Sequence, residues 1–255
     1  MTDPHCPAAV GVRGLSGGFI DGSGVPVLIE SLLAGAERAT GAVAVIDVFR
    51  AFTTAAVALA NGATQIIMVS SIEEALALRA NGSAQICMGE VHGRKPDAFD
   101  FGNSPFELLD VALEGLTVVQ RTSAGTQGVV AAARRAQCLY AASLVTASAT
   151  ARALRSKPTD RITLVAMGND GTTRADEDEL CAMHLRNLVE GRPGDPDAVR
   201  RLILAGGDAE RFHDPARPYL LPEDVDIALE VDRYPFAVNV TLRDGRPVAH
   251  VEGAN

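Results

Sequence analysis

The chain alternates between short apolar runs and alanine-rich segments over most of its length. The run AVAVIDV at 42–48 is continuous and rich in β-branched residues, which is typical of a strand covered on both faces. The segment TTAAVALANGA that follows predicts a short helix ending at Asn-Gly, and TQIIMVSS and SIEEALALRANG predict a second strand and helix. Nearer the start, VPVLIESLL predicts a strand and AGAERATG a loop.

The same order of elements returns later in the chain at a constant offset. Thr126 aligns with Thr53, an offset of 73 residues, and Ala136 aligns with Ala63. Two interpretations stay open, because alanine-rich sequences align by chance and a duplication would leave the same pattern. A third unit of strand, polar turn and helix follows at 161–191.

Strands that alternate with helices predict an α/β fold, here a three-layer α/β/α arrangement with a mostly parallel or mixed sheet and repeated strand-loop-helix units. Two strands joined by the Asp-Gly of RDGR predict a C-terminal β-hairpin. No segment is long enough to be a domain linker, so we expect a single compact domain over residues 1–255. It comprises an irregular lead-in at 1–25, a core at 26–190 and a C-terminal extension with the hairpin at 191–255.

Composition and charge narrow the classes of function. A hydrophobic content of 47% and a charged content of 22% indicate a globular chain. The net charge of −9 argues against a nucleic-acid partner, since a phosphate backbone requires a basic face. A small anionic substrate would need a local group of arginines or a bound cation. Such a substrate is the partner we expect, and a homodimer stays open as the oligomeric state.

The cysteines and the apolar runs indicate where in the cell we expect the protein. Cys6, Cys87, Cys138 and Cys181 lie far apart with no C-x-x-C pair, which indicates reduced thiols. Cys181 and His184 stand three residues apart on a predicted helix, where core packing is favoured over metal binding. The N-terminus lacks a signal-peptide pattern and no apolar run could span a bilayer. We therefore expect a cytoplasmic chain without membrane association.

Polar residues collect where predicted strands end, which is where open α/β sheets bind ligands. In DVFRAFTT, Asp47 could hold a divalent cation or attack an electrophile, and Arg50 offers a planar fork of donors for phosphate or carboxylate. Thr53 or Thr54 could cap the next helix, whose free N–H groups form an anion site. The alternative is a structural Asp–Arg pair with an ordinary cap. RTSAGT repeats the arginine and hydroxyl pattern at the equivalent strand end, so the two loops could converge on one anion.

Two further segments allow a structural and a functional interpretation. In DFGNSPFELL, Ser104 and Glu107 form a capping box, which leaves Asn103 unexplained. ADEDELCA could be only the acidic first turn of a helix, but surplus acids near Asp47 and Glu90 would also suit Mg²⁺. The chain has no Walker-type phosphate loop and no G-x-S-x-G elbow. Phe49 stands where phosphatases of the haloacid dehalogenase type carry a second acid.

The chain resembles the 2-phosphosulfolactate phosphatase family over roughly 42–188. The resemblance rests on five segments in this order: VIDVFRAFTTAAVALANGA, MGE, FDFGNSP, SAGT and EDELCA. The resemblance implies a three-layer α/β protein, dependent on Mg²⁺, that removes phosphate from 2-phospho-3-sulfolactate. The chain departs from the usual family pattern at Ala124, where many members have Asn, and at Asp176, where Leu is usual. These departures bear on the substrate more than on the type of reaction.

Mg²⁺-assisted hydrolysis of a phosphate monoester is the leading hypothesis, because phosphoryl transfer asks mainly for positioning and charge neutralisation. Asp47 is either a metal ligand or the nucleophile, and Arg50 is the second catalytic candidate. Arg121 is the candidate for the carboxylate or sulfonate of the substrate. A phosphatase for another phosphorylated hydroxy-acid and a non-catalytic phosphometabolite-binding module are the alternatives. The metal is assigned to Asp47, Glu90, Asp178 and Glu177, and substrate binding to Thr53, Thr54, Asn103, Arg121, Ser123, Gly125 and Thr126.

Overall fold

The computed structural model describes residues 24–253, so the predicted lead-in at 1–25 falls almost wholly outside it. Within this range the chain forms nine strands and nine α-helices. The strands are β1 (Val27–Ser31), β2 (Gly41–Ile46), β3 (Gln65–Val69), β4 (Ile86–Gly89), β5 (Thr117–Arg121), β6 (Ala136–Ala142), β7 (Ile162–Ala166), β8 (Ala237–Arg243) and β9 (Arg246–Glu252). The helices are α1 (Leu32–Arg38), α2 (Ala51–Ala60), α3 (Ile72–Ala80), α4 (Pro105–Leu108), α5 (Gly125–Ala132), α6 (Ala147–Ser156), α7 (Asp176–Val189), α8 (Pro196–Gly206) and α9 (Pro222–Ala228).

The nine strands form one mixed sheet in the order β1-β7-β2-β6-β8-β9-β3-β5-β4. Strands β1, β7, β2 and β6 form one parallel block, and β3, β5 and β4 form another. The hairpin β8–β9 lies between the blocks and pairs antiparallel with β6 on one side and β3 on the other. Its turn residues Asp244 and Gly245 have φ values of 51° and 77°, as a two-residue hairpin turn requires. The predicted fold class and C-terminal hairpin are confirmed.

The repeat seen in the sequence is also a repeat of structure. The unit β2-α2-β3-α3 returns as β5-α5-β6-α6, with first residues 71 to 76 positions apart, close to the predicted offset of 73. Each unit contributes its first strand to one block and its second strand to the other, because β2 pairs with β6 and β3 pairs with β5. On the two sides of the hairpin β6 therefore corresponds to β3 and β2 to β5, while the edge strand β1 has no counterpart.

Alternate side chains of β2 enter two different cores. Val43 and Val45 pack on the face that carries α2 and α5. Ala42, Ala44 and Ile46 pack on the opposite face with residues of α6 and α7. Helix α3 covers that second face at the other end of the sheet, over β3, β4 and β5. Because both faces are covered, the strand is apolar at every position, as a continuous run predicts.

The carboxyl ends of β2 and β5 meet although five strand steps separate them in the sheet. A Cβ placed on Gly125, at the start of α5, would lie 2.8 Å from the Cβ of Ala51, at the start of α2. Five steps would span about 24 Å in a flat sheet, but twist of about 20–25° per step accumulates to about 100–125°. The sheet thus curls around α2 and α5, and only glycine fits at residue 125.

Two predictions for individual segments were wrong or incomplete. Residues 34–38 belong to α1 rather than to a loop, and the C-terminal extension contains the helices α8 and α9. Helix α1 packs against α5.

Cys181 and His184 on α7 are buried, and Cys181 lies in the core. In residues 24–253 no metal-binding group forms there. No helix of the described chain is both long and apolar enough to cross a membrane.

Candidate active site

A pocket of about 320 Å³ opens where the loops after β2, β4, β5 and β7 meet. Its remaining wall comes from the segment between α8 and α9, residues 207–221, which we call the 207–221 segment. The loops therefore converge as the sequence predicted. Five residues of the predicted site line the pocket, namely Asp47, Arg50, Glu90, Asn103 and Ser123.

Asp47 lies at the end of β2 with only 6% of its surface exposed. Its Oδ1 accepts a hydrogen bond from the N–H of Ala51 at 3.0 Å, and the Gly125 N–H also donates to the carboxylate. Burial raises the pKa of Asp47 to about 6, and the negative charge of Glu90 adds to this, while the two N–H donors and Arg211 act in the opposite direction. The pocket thus holds a carboxylate that titrates close to neutral pH.

Glu90 joins the loops that follow β4 and β5. Its Oε1 accepts from the Ser123 N–H at 2.5 Å, and its Oε2 accepts from the Gly93 N–H at 2.6 Å and from the Ser123 hydroxyl at 3.1 Å. Arg121 donates to the backbone carbonyls of Glu90, at 2.8 Å, and Ser70, at 3.3 Å. Arg121 is not among the pocket-lining residues, so its position supports a role in holding this loop rather than in binding substrate.

Arg50 does not pair with Asp47, its neighbour in sequence. Its Nη1 donates to Asp224 Oδ2 at 2.8 Å and to the Tyr219 carbonyl at 3.1 Å, and both charged side chains are buried. Its Nη2 contacts the Gly93 carbonyl at 3.5 Å. These contacts with described residues engage three of the five guanidinium hydrogens, which leaves two for an anion in the pocket.

The three predicted threonines lie outside the pocket. Thr53 Oγ1 donates to the Val48 carbonyl at 2.9 Å and lies 2.6 Å from Ser143 Oγ. Thr54 Oγ1 donates to the Arg50 carbonyl at 2.9 Å, and Thr126 Oγ1 accepts from the Thr122 N–H at 2.8 Å. All three are fully buried, so their hydroxyls secure the turns that carry the site, and their positions do not support direct phosphate binding.

Asn103 and the Ser123–Gly125 turn are placed as a binding site requires. Asn103 lines the pocket, and its Oδ1 is buried without a hydrogen-bond partner among the described residues. Ala124 lines the pocket immediately before α5, so the positive end of that helix faces the cavity. Gly125 contacts Asp47 from the same turn, where an added Cβ would lie 2.8 Å from Asp47 Oδ2.

Asp178 and Glu177 do not line the pocket. Asp178 accepts from the backbone N–H of Val48 at 2.7 Å and of Gly168 at 2.8 Å, so it ties together the ends of β2 and β7. Burial raises its pKa well above the usual range, with the charges of Asp47 and Glu177 adding to the shift. Glu177 pairs with Arg211 at 3.2 Å, yet burial raises its pKa to about 8. The structure therefore does not bring the four predicted metal ligands together.

Sequence reasoning missed the contribution of the 207–221 segment and of α9. Arg211 and Arg217 line the pocket, and Asp224 binds Arg50 from the start of α9. At the pocket mouth, His92 Nδ1 lies 2.9 Å from Asp170 Oδ2. The one available signal was ERFHDPARPY, which places two arginines close together in an acidic chain.

The pocket offers donor groups for a divalent cation. Over residues 24–253 no three His, Cys, Asp or Glu side chains are arranged to hold a metal ion. Mg²⁺ does not need such a cage, because it is commonly held by one or two carboxylates together with waters and substrate phosphate oxygens. Asp47 and Glu90 are two such carboxylates in the pocket, and their mutual repulsion is the kind that a cation relieves. The donor set fits Mg²⁺ in this form.

Comparisons with known proteins agree with the site. The family model described as 2-phosphosulpholactate phosphatase matches residues 28–205. A Thermus thermophilus protein named probable 2-phosphosulfolactate phosphatase is 40% identical over 212 residues, covering 81% of this chain and 86% of its own length. A Bacillus subtilis protein of the same name is 32% identical over 187 residues, covering 71% of this chain and 78% of its own. A third, from Thermotoga petrophila, is 40% identical over 151 residues, covering 59% and 64%.

The fold and these matches define the class of the protein as a phosphoric monoester hydrolase. The chain belongs to the 2-phosphosulfolactate phosphatase family, as the motifs in its sequence indicated. The matched range ends before the 207–221 segment, so that wall of the pocket lies outside the family model.

Proposed function

We propose that the protein hydrolyses the phosphate monoester of 2-phospho-3-sulfolactate to sulfolactate and phosphate, with Mg²⁺ as cofactor. The observation that carries this proposal is the convergence of Asp47, Arg50, Glu90 and the first turn of α5 on one pocket. A carboxylate pair, a guanidinium and a helix N-terminus are the groups that phosphoryl transfer requires for positioning and charge neutralisation. The names of the relatives support the choice of substrate.

Each residue has a task that follows from its position. Arg50, held by Asp224, presents its remaining donors to the phosphate oxygens. Ser123 and the start of α5 face the same group. Asn103 Oδ1 is a buried acceptor without a partner among the described residues, which suits a bound cation or water rather than a phosphate oxygen. Asp47 and Glu90 would hold Mg²⁺, which when bound neutralises charge on the phosphoryl oxygens.

Asp47 has a second role that the geometry leaves open. Its carboxylate could attack phosphorus directly and form an aspartyl-phosphate while the P–O bond to sulfolactate breaks and the leaving oxygen takes a proton from water. A second water would then hydrolyse the aspartyl-phosphate to free Asp47 and phosphate. Burial and the charge of Glu90 make Asp47 more basic than an ordinary aspartate, which strengthens it as a nucleophile. The products are the same by either route.

The proposed activity is tested by measuring phosphate release from a series of small phosphate esters with and without Mg²⁺. We expect the highest kcat/KM for 2-phospho-3-sulfolactate, lower values for 2-phospholactate and phosphoglycerate, and no turnover after chelation until Mg²⁺ is restored. Preference for another phosphorylated hydroxy-acid would identify that compound as the substrate, an outcome motivated by Ala124 in the pocket wall. Binding without release under any divalent metal would show a non-catalytic phosphometabolite-binding module. A homodimer, which the sequence left open as the oligomeric state, is not tested by the structure of one chain.

The raised pKa of Asp47 predicts the acid side of the pH profile. Because the group must be ionised in either role, kcat/KM should fall about tenfold for each pH unit below about 6, where burial has moved its pKa. An ordinary aspartate would give no loss until pH 4. The profile is measured between pH 4.5 and 8 at Mg²⁺ concentrations well below saturation, because a bound cation would itself lower the pKa of Asp47. A constant kcat/KM down to pH 5 under these conditions would contradict the assignment.

A further inference from the structure

We propose that Arg217, on the 207–221 segment, binds the sulfonate of the substrate and so determines specificity. This inference rests on the proposed function, and it replaces the role that the sequence suggested for Arg121. Arg121 is occupied by the Glu90 and Ser70 carbonyls and by the Ser123 hydroxyl, and it is not part of the pocket lining, whereas Arg217 is.

The position of Arg217 is fixed by contacts on both sides of it along the chain. Arg211 donates to Asn169 Oδ1 and Glu177 Oε1, which holds the start of the 207–221 segment. The Tyr219 carbonyl accepts from Arg50, and the Arg94 guanidinium lies 4.5 Å from the centre of the Tyr219 ring. The prolines on either side of Arg217 in DPARPY restrict the backbone further. The wall is therefore preorganised.

The side chain of Arg217 is more available than those of the other two arginines in the lining. Arg50 is committed to Asp224, and Arg211 to Glu177 and Asn169. Arg217 pairs only with Asp214 among the described residues, three positions earlier at 3.3 Å, and 49% of its side chain is exposed. A local, exposed ion pair of this kind contributes little to stability, so a substrate anion can replace it.

The depth of the pocket indicates which anion Arg217 binds. Asp47, Arg50 and Glu90 are at most 6% exposed and mark the deep end, where the phosphate lies. In 2-phospho-3-sulfolactate the carboxylate is attached to the carbon that bears the phosphate, and the sulfonate is one carbon further away. The group nearest the mouth is then the sulfonate, and Arg217 is at the mouth. A weakly hydrated guanidinium suits this diffuse anion.

The test combines one variant with three substrates. Arg217→Gln is assayed with 2-phospho-3-sulfolactate, with 2-phospholactate, which lacks the sulfonate, and with O-phosphoisethionate, which lacks the carboxylate. We expect kcat/KM to fall by about tenfold or more for the two sulfonates, mainly through KM, and to change by less than about twofold for 2-phospholactate. Arg201→Gln removes the same charge from an exposed position on α8 and should leave all three values unchanged.

Equal losses on all three substrates, or no loss on any, would overturn the assignment. Unfolding is monitored thermally, and the exposed site predicts an unchanged Tm. If the wild type released phosphate from none of the substrates, the proposed function would fail, and calorimetry with 3-sulfolactate would still test the subsite. Affinity about tenfold weaker in Arg217→Gln than in the wild type would support the subsite, and equal affinity would refute it.

Discussion

Replacement of Asp47 by asparagine is expected to lower phosphate release by about 10³-fold or more, which is the largest effect that the structure predicts. The change removes the one negative charge that both candidate mechanisms require, either to hold the cation or to attack phosphorus. Glu90 remains in the variant, but by itself it would leave the cation with one carboxylate instead of two.

The same variant should keep its fold. Asparagine retains an oxygen that can accept from the Ala51 N–H, and it removes a buried charge whose raised pKa shows that ionisation opposes folding. The loss of the Gly125 contact acts in the other direction, so the free energy of unfolding should change by less than about 2 kcal/mol. Asp97→Asn, at an exposed position, is the matched control and should be fully active. Wild-type turnover by Asp47→Asn would remove Asp47 from the mechanism.

The two roles of Asp47 can be separated with the wild-type protein. Acid quenching during turnover, followed by mass spectrometry, would detect a phosphoryl group on the peptide that contains Asp47 if the residue is the nucleophile. Absence of that adduct at every time point, together with Mg²⁺ binding that weakens in Asp47→Asn, would assign the residue as a metal ligand.

Replacement of Arg50 is expected to have the second largest effect, and the choice of residue separates its two tasks. Arg50→Lys keeps a charge near Asp224 but loses the fork that reaches Tyr219, Asp224 and the phosphate at once. We expect kcat/KM to fall about 100-fold with a modest change in stability. Arg50→Met leaves the buried carboxylate of Asp224 without its partner and should in addition lower the free energy of unfolding by about 3–5 kcal/mol.

The matched control for stability is the double variant. Adding Asp224→Asn to Arg50→Met removes the unpaired charge, so most of the lost stability should return while the activity does not. Chemical denaturation measures the first quantity and phosphate release the second. If Arg50→Lys retained wild-type kcat/KM, the guanidinium would have only a structural role.

Much of the fold could be predicted because strong periodic segments repeat. The β-branched run before Asp47 and the alanine-rich segment after it specify a buried strand and a helix from local sequence alone. Helix α1 was missed because it has seven residues and contains glycine, so its stability comes from packing against α5 rather than from propensity. The pairing of β2 with β6 and of β3 with β5, and the position of the hairpin between these pairs, depend on contacts between residues far apart in sequence. No local sequence pattern predicts them.

The site could be predicted only in part, because some of its contacts also join residues far apart in sequence. Asp47, Arg50 and Glu90 follow strand ends and could be assigned to a common pocket from that position alone. The hydroxyls of Thr53 and Thr126 have the right chemistry, but backbone groups within their own turns take them. Asp224 is 174 residues from Arg50 in sequence, so the pair that orients the guanidinium could not be recognised before the chain was folded.

The account depends on one phosphate site between the ends of β2 and β5, and a crystal structure with Mg²⁺ and orthophosphate tests it most directly. The prediction is a phosphate within hydrogen-bond distance of Arg50 and the Ser123–Gly125 turn, with the cation on Asp47 and Glu90. Phosphate bound elsewhere, with this pocket holding only water, would contradict the account.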